Sequence, residues 1–172
     1  MTAHPADSPT PPGHDLELAH PTVTDGPVLH ELAAAAGGLD VNTRYAYLIW
    51  ARDFARTTVI ARRGGEPVGA ITGYRRPDAD DTLFVWQVAV DPSARRRGVA
   101  AAMLAWLAGR HVEGGGRWVE ATVTPSNEAS RRLFTRFADD ASAPVAWSAL
   151  FGADELGDGH EPEELVRIGP LR

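Results

Sequence analysis

The residues best suited to do chemistry lie in one stretch, Phe84 to Ala100. Phe84-Val85-Trp86-Gln87-Val88-Ala89-Val90 is rich in Val and aromatics, as a buried strand should be. Asp91-Pro92-Ser93 is turn chemistry, and Pro92 lacks the N–H that would continue a ladder. Ala100 to Leu107 then has high helix propensity. Between strand and helix stands Arg95-Arg96-Arg97-Gly98. A turn here aims unpaired backbone N–H groups and the positive end of a helix dipole at one point, which suits a phosphate. Gly98 admits close approach to the backbone, and three arginines add charge for a polyanion. The alternative is an ordinary strand-to-helix connection with solvated arginines.

Other elements must position that turn. Residues 1–15, with Pro5, Pro9, Pro11 and Pro12, read as a disordered leader, and residues 16–172 as one domain. Thr24-Asp25-Gly26-Pro27 starts a helix and Gly37-Gly38 ends it. Asn42 or Thr43 can cap a second helix carrying Tyr45, Tyr47, Leu48, Trp50 and Phe54. Residues 57–62 and 67–74 form a hairpin about Gly64-Gly65. Arg75 to Asp81 is a polar loop before the central strand, 82–90. After the helix that ends near Arg110, residues 117–123 make a fifth strand. A helix follows Pro125-Ser126, and residues 145–151 and 164–168 are two last strands. This order implies an α+β layered sheet.

Composition excludes several chemistries. The 172 residues contain no cysteine, so disulfides, thiolate metal ligands and a cysteinyl intermediate are out. The formal charge of −6, with no basic or aromatic face accompanying Arg95–Arg97, argues against nucleic acid. No apolar run is long enough for a membrane span, and the cytoplasm is the expected setting. The scattered histidines propose no metal site.

Arg95-x-x-Gly98-x-Ala100 after a hydrophobic strand resembles the coenzyme-binding signature of the acetyl-CoA-dependent N-acetyltransferases of the GNAT superfamily. Leu39-Asp40-x-Asn42, Leu83–Val90 and Glu120–Ser130 narrow the likeness to its diaminobutyrate acetyltransferases, which serve ectoine synthesis. The resemblance implies the GNAT fold: a central mixed, mostly antiparallel sheet flanked by helices and splayed between the fourth and fifth strands. It implies acetyl-CoA and L-2,4-diaminobutyrate as substrates, no metal, and a homodimer as a further possibility.

Residue by residue, it implies that Val88, Ala89, Val90, Arg95, Arg96, Arg97, Gly98, Val99, Ala100 and Asn127 contact the coenzyme. Val88 and Val90 can equally be core, and Asn127 a helix cap. A primary amine with pKa near 10.4 costs roughly 4–5 kcal/mol to deprotonate at pH 7, so a base is useful. Glu120 is the candidate, against a solvated or capping Glu. Many relatives carry a tyrosine acid where this chain has Phe134; Tyr45 or a water can substitute. Asp40, Tyr45, Trp86, His160 and Glu161 are the acceptor-site candidates. Their plainer roles are a cap for Asp40, core packing for Trp86 and a surface position for His160. Trp86 is expected on the face shared by Phe84 and Val88. Acetylation of another small amine or of a peptide N-terminus, and acetyl-CoA binding without turnover, are the other functions open at this point.

Overall fold

A computed structural model describes residues 16–157 and 159–172; the expected leader, 1–15, lies outside the described residues. Seven strands form one sheet in the order β1-β2-β3-β4-β5-β7-β6. They are β1 (Leu16–Ala19), β2 (Val59–Arg63), β3 (Glu66–Arg76), β4 (Ala79–Val90), β5 (Trp118–Val123), β6 (Val145–Phe151) and β7 (Glu163–Ile168). The helices are α1 (Gly26–Ala36), α2 (Arg44–Asp53), α3 (Val99–Glu113), α4 (Glu128–Asp140) and the short α5 (Ala153–Leu156). Every pairing is antiparallel except β4 with β5, which are joined through α3. That is the expected mixed, mostly antiparallel sheet.

Local chemistry explains the boundaries. Gly64 and Gly65, at φ +57° and +84°, make the two-residue turn that joins β2 to β3 with a twist matching the strands. Thr43 caps α2, its hydroxyl accepting from the Ala46 N–H at 3.3 Å. The expected polar loop 75–81 is instead hairpin: Arg76 pairs with Ala79, so only Pro77 and Asp78 turn. Acidic residues read as loop, but on a solvated strand end they cost the ladder nothing.

The core lies in two layers. One face of the sheet packs Val59, Ile71, Leu83, Val85 and Val119 against Met103, Leu104 and Leu107 of α3 and Phe134 of α4. The other packs Ile60, Ala70 and Ala89 against Leu29, Leu32 and Ala33 of α1 and Tyr47 and Ala51 of α2. Each fully buried Leu contributes about 1.5–3 kcal/mol.

One irregularity matters for the site. Thr72 pairs with Gln87 but Gly73 pairs with Val85, so Trp86 is the extra residue of a β-bulge. Trp86 stacks on Trp50 of α2 at 4.2 Å, and Gln87 bonds Tyr47 of the same helix. Two consecutive side chains thus face α2, and the alternation of β4 reverses there. Trp86 keeps the face of Phe84 but not that of Val88, which packs on the α3 side. This corrects the expected common face.

Candidate active site

The site begins where β4 and β5 part. Their pairing runs from Thr82↔Trp118 to Val85↔Ala121 and stops, while β4 continues to Val90. Parallel strands linked by a helix need not stay paired to their ends, and here the second half of β4 faces a gap.

A groove of about 520 Å³ lies along that gap. Val88 and Val90 of β4 line it, with Arg95, Arg96, Gly98 and Ala100 around the turn and Asn127 and Ser130 at the start of α4. Gly98 caps α3 in the left-handed region, φ +76°, with nothing within 4 Å of a Cβ placed there. The following N–H groups at the start of α3 are free of intrahelical partners and sit beside the positive end of a helix of 15 residues. Open space, unpaired amides and the exposed Arg96 together fit a pyrophosphate.

The three arginines differ. Arg95 donates to the carbonyls of Ala36 and, at 3.5 Å, Val90, tying the turn to the end of α1. Arg95 and Arg96 both line the groove, and Arg97 is exposed outside it. Val99 is buried in the core yet lines the groove, whereas Ala89 is buried beneath α1 and α2 and does not line it. Asn127 lines the groove, and its Oδ1 accepts from the Ser130 N–H at 3.1 Å as a cap.

A second cavity, about 410 Å³, fills the parting itself and shares Gly38, Leu39, Val88, Asn127 and Ser130 with the groove. Asp40 lines it, as does Phe134, which has no proton to give. It also holds Glu163, the first residue of β7, whose Oε2 is buried without a hydrogen-bond partner among the described residues. Sequence reasoning missed Glu163. Only a pairing that places β7 beside β5 brings it to the gap, and strand order is not written in local spacing.

A third cavity of about 380 Å³ shares Trp86 and Thr122 with the second. Tyr74, Arg76, Phe84, Glu120 and Leu165 surround it, and Leu150 and Phe151 form its rim. Glu120 is 1% exposed and held from both sides, by Arg76 Nη1 at 3.0 Å and Arg167 Nη1 at 2.6 Å. Arg167 in turn lies over the Trp118 ring at 4.2 Å. A carboxylate so engaged has little to offer an ammonium, which counts against Glu120 as a free base.

Three of the expected acceptor-site residues lie apart from these cavities. Tyr45 is 71% exposed and lines none of the three cavities. Tyr47, two residues on and so roughly 200° around the helix, is the one that turns inward. His160 and Glu161 are exposed and also outside all three cavities; Glu161 accepts from Ser126 Oγ beside the start of α4.

Residues 28–138 match the model of the acetyltransferase (GNAT) family. The chain is 50% identical over 160 residues to the L-2,4-diaminobutyric acid acetyltransferase of Streptomyces coelicolor, covering 91% of this chain and 94% of that protein. It superposes with TM-score 0.86 and 42% identity on the diaminobutyrate acetyltransferase of Paenibacillus lautus, solved with L-2,4-diaminobutyric acid and coenzyme A, over 92% of this chain and 96% of that one. The ribosomal-protein-S18-alanine N-acetyltransferase of Escherichia coli, 16% identical with TM-score 0.68 over 91% and 95% of the chains, shares the fold. Parted strands, a basic turn on a helix start, and whole-length identity to these enzymes agree: the chain belongs to the GNAT acetyltransferase family, among its L-2,4-diaminobutyric acid acetyltransferases.

Proposed function

We propose that the protein, through residues 16–172, transfers the acetyl group of acetyl-CoA to the γ-amine of L-2,4-diaminobutyrate, the acetylation that serves ectoine synthesis. One observation carries this reading. The groove at the basic turn, the cavity in the strand parting and the inner cavity share lining residues in succession, so donor and acceptor can meet without leaving the protein.

The amides at the start of α3, with Arg96, hold the diphosphate. The backbone of Val88 and Val90 holds the pantetheine arm where β5 has left β4, and an N–H there supports the oxygen that gains charge as the amine attacks. Asp40 and Glu163 face the acceptor ammonium groups. Glu163, with its free oxygen, is the better-placed group to accept the γ-amine proton, directly or through a water. Holding both reactants in one passage supplies much of the acceleration. The departing thiolate needs no dedicated acid: with a thiol pKa near 8.5, the released group equilibrates with solvent to be mostly thiol at pH 7. A phenylalanine at 134 is therefore compatible with turnover.

The reading includes a homodimer. β6 is an edge strand with Val145, Leu150 and Phe151 between 37% and 44% exposed, and the last two rim the inner cavity. A second copy laid along β6 covers that apolar edge. A cytoplasmic setting follows from the acetyl-CoA pool the reaction draws on.

The test is direct. Purified protein with acetyl-CoA and L-2,4-diaminobutyrate releases coenzyme A thiol, and NMR of the product finds the acetyl group on the γ-nitrogen. Thiol release no faster than without acceptor rejects the proposal.

A further inference from the structure

We infer that Arg76 is a specificity-determining residue, reading the α-carboxylate of the acceptor from the inner cavity; this rests on the proposed function. Glu120 is one carboxylate held by two guanidinium groups, Arg76 and Arg167. Neither arginine meets another carboxylate among the described residues, so the cluster keeps one positive charge. Of its members, Glu120 is shut away from solvent while the Arg76 side chain is 41% exposed and lines the cavity.

Arg76 spends one nitrogen, Nη1, on Glu120. The rest of its planar fork has no hydrogen-bond partner among the described residues and suits a carboxylate. Glu120 fixes the guanidinium, so little rotamer freedom is lost when an anion arrives. The neighbouring walls, Tyr74, Phe84 and Leu165, are mostly apolar and lower the local dielectric, which strengthens a charged contact.

The two connected cavities then mirror the acceptor. The one in the strand parting carries two acids, Asp40 and Glu163; the inner one carries the uncompensated positive charge. L-2,4-diaminobutyrate has two ammonium groups and one carboxylate. Only one orientation satisfies all three: carboxylate inward past Trp86 and Thr122, amines toward the parting. That orientation presents the γ-amine to the thioester and explains why a bare diamine would be a poor substrate.

The experiment compares kcat/KM for L-2,4-diaminobutyrate and for 1,3-diaminopropane, the same diamine without the carboxylate, in wild type, Arg76→Gln and Arg76→Lys. Gln keeps a donor for Glu120; Lys keeps the charge and loses the fork. Wild type is expected to favour diaminobutyrate. Arg76→Gln should lose about 10- to 100-fold on diaminobutyrate and change less than about threefold on diaminopropane, the scale of one charged hydrogen bond. Arg76→Lys should fall between. A diaminobutyrate-to-diaminopropane ratio equal to wild type in the variants, or in Arg76→Lys alone if Arg76→Gln does not fold, overturns the inference. Equal losses on both substrates overturn it too, since they mark a structural role. A wild type that acetylates neither amine rejects the proposed function instead, so the two failures are distinguishable.

Discussion

The phenol of Tyr47 and the amide of Gln87 are joined by a buried hydrogen bond of 3.0 Å, Tyr47 donating to Oε1. Gln87 Nε2 passes the connection on, donating at 2.8 Å to the carbonyl of Asp40. Through it, α2 and the bulged strand hold the linker 37–42, whose residues line both the coenzyme groove and the acceptor cavity. Gln87→Glu keeps the acceptor for Tyr47 but sets a carboxylate against the Asp40 carbonyl. We expect the acceptor KM to rise about tenfold, the worth of one hydrogen bond, with a smaller change for acetyl-CoA. Protonating the new carboxyl restores a donor, so the defect should shrink as pH falls toward 5. Steady-state kinetics at several pH values checks this, and a pH-independent defect argues against it.

Gly98→Asp should weaken acetyl-CoA binding at least tenfold, by placing an anion where the diphosphate is proposed to sit. Gly98→Ala is the control for strain alone, which at φ +76° costs about 1 kcal/mol. Isothermal titration separates the two; equal affinity for wild type and Gly98→Asp would remove the turn from the binding site.

The two carboxylates near the parting should behave oppositely. Glu163→Gln should lower kcat by roughly 10² to 10⁴ and flatten the acid limb of its pH profile, as loss of a base does. Glu120→Gln should keep that limb. Its main cost should be stability, about 1–3 kcal/mol, since two partly exposed arginines lose a buried partner. Swapped phenotypes would return the base to Glu120.

His111 gives the fold a pH dependence away from the site. It is buried, its Nε2 lies 3.0 Å from the Asp81 carbonyl, and its ring packs on Gly116. Burial lowers its pKa below the usual 6.5, with Arg75 adding to the effect against the opposing Asp81 and Trp118 backbone contacts. The unfolded chain therefore takes up this proton first. Stability from His111 is complete above about pH 6.5 and declines as pH falls through that value, by at most about 1.4 kcal/mol per unit. Between pH 7.5 and 5.5, urea unfolding should show wild type losing more stability than His111→Gln, and equal losses would argue against a buried neutral His111.

Much of this was legible in the chain. Glycines at 37–38 and 64–65, Pro92, the Thr43 cap and the hydrophobic spacing of α1 and α3 mark their elements locally, and the basic turn carries its own chemistry. What was not legible depended on distant pairing. The bulge at Trp86 reverses the alternation of β4, and nothing in Val-Trp-Gln-Val announces it. Tyr45 and Tyr47 are chemically alike, and only the packing of α2 on the sheet chooses between them. Glu120 looked like a base because its arginines lie 44 and 47 positions away in the chain.

The unfinished pairing of β4 has a consequence for the lifetime of the protein. From Trp86 to Val90 the strand presents an internal edge that no other described segment completes. Coenzyme docking there, as proposed, would act as a missing rung, and amide exchange across this segment should then slow sharply once it binds. Because binding to the folded form alone deepens its well by RT ln(1 + [L]/Kd), supply of the acyl donor also sets how long the catalyst survives proteolysis.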